Sequence, residues 1–379
     1  MDIHPAQAAA DVAGQFFSNH PDVHLEDITT SGSGAIFIRM KRWRTRRVFD
    51  RLMMKMVYED PPPYPLQNEL NALQDFQYSM HVIKPRPIPD ESTPTPEPTR
   101  FLPLLNPLRP KGLPYEHYFT EDLPNGNLNQ LIQRRDADVD HREDRFPNRF
   151  LIRIFLCAAR ACTAMAWPPG QHADNFGLLR PEPALEDEVR DPLLNVHGAV
   201  WFNHWLFGHV YHHNFEHSIV PIMKLAGFDH AYVHNGVETV TYDTPEYDQQ
   251  AQIVRRTRPR GLGNPATRAN VLGIGVLMGN MILEDTWLNA DEVREQLGAR
   301  HEWARNTNPG YDPDLIELIA RCLAVEPMSR PTIYEIVRDL ENWLWYRRAE
   351  YYWEKPGGYM ETDEALNQFC QRYMYNAPE

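Results

Sequence analysis

The sequence predicts an α+β chain in two unequal parts, a small antiparallel β lobe with one main helix and a larger, mostly helical lobe. Three observations carry that prediction. Two β-rich runs, Ala35–Met40 and Arg51–Tyr58, precede a stretch with apolar residues at Leu66, Leu70, Leu73 and Phe76, a helical period. Later segments, Pro147–Trp167, Ala269–Leu283, Asp314–Leu323 and Thr332–Trp345, all carry helical patterns. Between them lies Val196–Ala231, short apolar runs joined by a histidine-rich polar connection and ending in KLAGFDHA, the form of an active-site centre.

Composition sets the outer bounds. The chain has 379 residues, 42% of them apolar, enough for two domains or one two-lobed unit with a sizeable core. A net charge of −14 argues against nonspecific binding to nucleic acid or to an anionic membrane surface. Cys157, Cys162, Cys322 and Cys370 show neither CxxC spacing nor a small-domain disulfide framework, which fits a reducing compartment. With no signal-like start and no apolar run of membrane-spanning length, the expectation is a soluble protein of the cytoplasm or nucleus.

Taken in order, residues 1–24 read as an N-terminal extension with a short Ala-rich helix, QAAADVAGQFF. Residues 25–122 form the β lobe. Its two β runs flank the basic cluster Lys41–Arg47, KRWRTRR, read as a solvated hairpin connection. PPPYP closes the second run because proline cannot continue a ladder, and Leu66–Phe76 follows as the helix. Residues 85–114 are a proline-rich insertion without apolar period, extended in character, whose functional alternative is a docking peptide. Tyr115–Asp122 resumes as a strand, and the Asn-Gly of LPNGNL marks a turn.

Residues 123–345 form the helical lobe. Pro147–Trp167 keeps 3/4 spacing through Phe150, Leu151, Ile154, Phe155, Ala158, Cys162 and Met165, with a proline at its start. Ala173–Asp191 is polar and acidic, a second insertion. Ala269–Leu283 is apolar nearly all round and predicts a buried central helix. Residues 346–379 add a helical, aromatic-rich tail in which Tyr351–Trp353 pack on the lobe.

This order of elements resembles a protein kinase domain. The strongest match is Leu315–Val337, LIELIARCLAVEPMSRPTIYEIV, similar to the late helix pair of kinases, with Arg330 as its intervening arginine. ANVLGIGVLMGNMI resembles the central helix of the large lobe, with Asn270 where most kinases carry aspartate, and Thr244-Pro245-Glu246 resembles the end of an activation segment, with Glu246 placed to pair with Arg330. The frame of Val196–Ala231 and the proline-rich insertions are similar to a group of filamentous-fungal kinase-like proteins. The resemblance spans roughly residues 27 to 345.

Phosphoryl transfer needs a lysine on the phosphates, a covering glycine loop, an orienting carboxylate and metal ligands. The resemblance places Lys55 at the lysine position and Glu69 as its ion-pair partner, with Gly34, Glu121 and Leu123 completing a nucleotide pocket along a hinge. Its glycine loop, ITTSGSGAIF, is degraded in either register: with Gly34 as the third glycine, Thr29 and Ser31 stand at the first two, and with Gly32 and Gly34 kept, Phe37 stands at the third. The His-x-Asp pattern falls on His197-Gly198-Ala199, and Ala199 cannot orient a proton. His204 stands where the asparagine ligand belongs, and an imidazole is a poor ligand for a hard cation. The Asp-Phe-Gly pattern falls on Gly227-Phe228-Asp229, so the acid comes two residues late.

The expectation is therefore a catalytically inactive pseudokinase acting as a binding or regulatory module. It needs no cofactor, leaves room for ATP without metal, and makes magnesium unlikely; its partner is another protein, an active kinase among the candidates. The rival is an active phosphotransferase or nucleotidyltransferase that uses relocated acids, with Asp229 as metal ligand. A third constellation is His204, His209, His212, His213 and His217 with Glu216, for which solvated histidines in a lengthened connection are the plainer reading and transition-metal binding the alternative.

Overall fold

The computed structural model describes residues 5–18, 23–30, 35–44, 47–58, 66–86, 115–139, 145–167, 195–197, 200, 202–211, 214–228, 231–233, 265–307 and 310–375. The chain is α+β and divides into two compact units, residues 1–77 with 83–122, and residues 78–82 with 123–379.

The first unit is built on an antiparallel sheet in the order β1 (Val23–Thr30), β2 (Ala35–Arg44), β3 (Arg47–Val57) and β4 (His117–Glu121). Alternation decides its faces. Ile36, Ile38 and Met40 of β2 stand opposite Met56, Met54 and Leu52 of β3, and all six are buried. Helix α1 (Pro5–Ser18) lays Ala6, Ala9, Ala10, Ala13 and Phe17 onto this face. The small alanines let the helix come close, and Phe17 reaches Phe119 edge-on at 6.4 Å. The presumed N-terminal extension thus supplies one wall of this core.

Two sequence expectations change here. The basic cluster is not a long connection: β2 and β3 run through it, pairing Lys41 with Arg51 and Arg44 with Arg47, so that only residues 45–46 separate the strands. The charged side chains hid a pairing that continues well past the apolar core. Strand β1 was not expected at all, because its alternation is broken by a bulge between Leu25 and Asp27.

Helix α2 (Leu66–Asp75) continues the unit. Its buried stripe runs Leu66, Glu69, Leu73, so a carboxylate sits in an otherwise apolar 3/4 pattern. Of the expected insertion 85–114, Pro85 and Arg86 pair with β4, Pro85 bridging Thr120 and the Arg86 N–H donating to the Phe119 carbonyl at 2.8 Å, and residues 87–114 lie outside the described residues.

The second unit holds α3 (Leu128–Ala137), α4 (Asn148–Ala166), α5 (Pro265–Leu283), α6 (Ala290–Thr307), α7 (Pro313–Cys322), α8 (Ile333–Tyr346), the single-turn α9 (Ala349–Tyr352) and α10 (Asp363–Cys370). Spacing predicted one buried face for α4, yet every residue from Asn148 to Ala166 is buried, Arg149, Arg153 and Arg160 included. The cause is packing from several sides, by α8, by α5 and by short strands. Helix α5 is long and apolar enough to cross a membrane by composition alone, but 78% of its 18-residue apolar window is buried inside the protein, as in a core helix. Its glycines set that packing: a β-carbon on Gly279 would lie 2.2 Å from Val293 of α6, and one on Gly275 2.8 Å from Cys322 of α7.

Two small antiparallel ribbons join these helices, β5 (Asn195–Val196) with β8 (Tyr232–Val233), and β6 (Trp205–Phe207) with β7 (Met223–Leu225). The tail contributes more than surface helix. Glu361, fully buried, accepts hydrogen bonds from the Asn148 and Arg149 backbone N–H groups and from the Arg145 guanidinium at 2.8–3.0 Å. Helix α4 begins at Pro147 with no side-chain cap of its own, so a carboxylate from the far end of the chain satisfies its first donors. Of Tyr351–Trp353 only Tyr352 is buried, its hydroxyl donating to Asp312 at 3.0 Å; Tyr351 and Trp353 stay exposed.

Candidate functional site

In the first unit, Lys55 lies on β3 on the face opposite α1, paired across the strands with Phe37 and Tyr118. Its ammonium donates to the Glu69 carboxylate at 2.7 Å, with both side chains buried. Two opposite charges out of water persist only when each is paired, so this bond fixes the register of α2 on the sheet. Glu121, on β4, engages Lys84 twice: its N–H donates to the Lys84 carbonyl and its carboxylate accepts from the Lys84 N–H, at 3.0 and 2.9 Å. Gly34 lies outside the described residues, as do Ala199, Trp201, Asp229 and Glu246.

In the second unit the degenerate positions have a geometry of their own. The ribbon β6–β7 brings His204 and Gly227 together, with the Ala226 N–H donating to the His204 carbonyl at 2.8 Å. Gly227 takes φ +70°, a left-handed conformation that side chains disfavour. An ideal β-carbon there would meet the His204 ring at 2.6 Å. Glycine and imidazole therefore fit each other, and a side chain at 227 is disfavoured by the backbone and would require the His204 ring to move.

His197 organises the same region. Its ring Nε2 donates to the Ala226 carbonyl at 2.9 Å, so the proton sits on that nitrogen. The ring packs edge-on to Phe228, 4.8 Å between centroids, and lies 5.6 Å from His204. Its backbone N–H donates to Asn270 Oδ1 at 3.2 Å, tying this loop to α5. Residue 270 needs only an acceptor for that bond, which an amide oxygen supplies as a carboxylate does.

Chemically, this arrangement orients one backbone segment against another through the bonds of His197 to Ala226 and Asn270. Among the described residues, position 204 carries an imidazole and position 227 no side chain, whereas a hard cation takes oxygen ligands. Leu123 is buried and lies next to Gly208. Arg330 spends its guanidinium on the carbonyls of Arg268, Ala324 and Val325 at 2.9–3.3 Å, and burial pushes its pKa down to about 10.

The histidines of the connection do not behave as one solvated group. His209 is exposed, His204 faces Gly227, and His217 is buried against His81, ring nitrogens 3.1 Å apart. His212 and His213 lie outside the described residues. Cys157 of α4 joins His81 and His217, the three donor atoms lying within 4.8 Å of one another. Sequence reasoning missed His81 and Cys157, since nothing in their local pattern signals a partner 136 positions away. A scan against protein-family models finds no match to the chain, and a search of curated proteins finds none either.

Proposed function

We propose that the chain is a catalytically inactive, kinase-like two-lobed protein, a pseudokinase, that works by binding another protein. The single observation that carries this reading is the fit of His204 to Gly227, whose left-handed backbone and occupied side disfavour a carboxylate where the kinase pattern needs a metal ligand. Supporting it are the buried Lys55–Glu69 pair, the kinase-like sequence Leu315–Val337 and the tie between His197 and Asn270. The acidic balance favours a protein partner, such as an active kinase, over nucleic acid or an anionic membrane. The four buried, free cysteines fit an intracellular, reducing setting.

In this reading Lys55 and Glu69 hold the β unit in shape, and any ATP bound there is bound without magnesium. Thermal-shift measurements with ATP, alone and with Mg²⁺ or Mn²⁺, together with a phosphotransfer assay, test it. The expected result is no metal-dependent stabilisation and no turnover, with any metal-independent shift lost in Lys55→Met. A metal-dependent shift accompanied by turnover, both abolished by Asp229→Ala, overturns it in favour of an enzyme with relocated acids.

A further inference from the structure

We infer that His81, Cys157 and His217 form a buried structural site for a transition-metal dication of the zinc type, with Glu216 at the fourth position. The three residues come from separate elements that the fold holds firmly. His81 lies in a segment whose carbonyl accepts from the Leu225 N–H at 2.8 Å, and the next residue, Val82, is bridged to Leu225. His217 closes a turn, its N–H donating to the Asn214 carbonyl and its own carbonyl accepting from the Tyr211 N–H, at 3.2 and 2.9 Å. Cys157 sits in the middle of α4.

All three residues are at most 1% exposed, and their donor atoms converge within 4.8 Å. The two Nε2 atoms stand 3.1 Å apart, close to the edge of about 3.3 Å that two metal–nitrogen bonds of about 2.0–2.1 Å subtend in a tetrahedron. Two imidazoles and a thiolate are the soft and borderline donors that select zinc over magnesium or calcium.

Glu216 lies beside the three convergent donors and is the group we assign to swing into the fourth position. Its Oε1 accepts from Arg160 at 2.9 Å, while its Oε2 is buried, makes no hydrogen bond and lies 3.8 Å from His217 Nε2. Charge closes around that arrangement. A dication is neutralised by the Cys157 thiolate and the Glu216 carboxylate, and Arg160 is neutralised by its second partner, Glu341. Binding requires both Nε2 lone pairs, so the proton shared between the rings moves to Nδ1, and the thiol releases one proton to solvent. The site would staple three segments of one unit, and it stands apart from the kinase-like positions: none of its donors is Ala199, His204 or Gly227.

The test uses the full chain without a histidine tag. Metal analysis after zinc loading and exhaustive dialysis should give about one equivalent per chain, and Co²⁺ titration should give tetrahedral visible bands with a thiolate charge-transfer band. Cys157→Ser should lose the charge-transfer band, and His217→Gln the stoichiometric binding together with the rise in melting temperature that zinc confers. Metal far below one equivalent with no cobalt bands overturns the proposal, as does a spectrum unchanged by both substitutions. Should a variant not fold, the wild-type cobalt titration still decides the matter.

Discussion

The imidazole of His204 fills the space that a β-carbon on Gly227 would need, 2.6 Å from its ideal position. The two residues are therefore coupled: a side chain at 227 requires the 204 ring to give way. Gly227→Asp must pay for the positive φ, about 1–2 kcal/mol, and for overpacking, about 1–3 kcal/mol. Urea denaturation should show that loss, and adding His204→Asn should recover the packing part only. Equal stability of Gly227→Asp and wild type would disprove the coupling.

Asn270 tests the tie between the degenerate loop and α5. Asn270→Ala leaves the buried His197 N–H without its acceptor, a cost of about 1–3 kcal/mol, whereas Asn270→Asp keeps the acceptor and should lose less. Hydrogen exchange at the His197 amide is the direct readout. It should accelerate in the alanine variant and stay protected in the aspartate one.

Asp122 supplies a pH test. Its side chain is 1% exposed against 27% for its partner Arg39, and its Oδ2 has no hydrogen-bond partner. Burial raises its pKa, with Arg39 and Arg51 opposing and Glu26 reinforcing the rise. A raised acid binds its proton more tightly in the folded state, so stability from this group falls as pH climbs from the ordinary carboxylate value to the raised one. Asp122→Asn should therefore be the more stable protein at neutral pH, and the gap should close as pH drops below about 4. Denaturation midpoints of both proteins across that range check the sign.

Glu361 tests the role of the tail. Glu361→Ala strands the buried end of α4 together with the Arg145 guanidinium, and about 3–5 kcal/mol should be lost. Limited proteolysis should then cut within residues 349–375 before cutting elsewhere. Resistance equal to wild type would show that the clamp is dispensable.

Much of the fold was legible because periodicity reports burial. The alternation of Ile36, Ile38 and Met40, and the 3/4 runs of α2, α4, α7 and α8, each named an element that the structure contains. Ribbons of two or three residues, such as β5–β8, are too short to carry a period. Helix α3 was passed over although Asn127 and Gln130 form a capping box, a signal present in the sequence and not used. The site was legible by residue type alone. Lys55 and Glu69 do meet, and His204 and Gly227 do share one place, but the reason they fit, a left-handed glycine under a ring, exists only in three dimensions. The meeting of His81 with His217 depends on topology and has no local signature.

The Glu361 clamp also bears on how the protein is made. Helix α4, buried along its whole length, waits for a carboxylate more than two hundred residues downstream before its first turn is satisfied. During synthesis the larger unit cannot reach its final state until residue 361 has left the ribosome. Nascent chains stalled before that point should expose α4 and draw chaperones, whereas the β unit, whose last strand ends at Glu121, can close while translation continues.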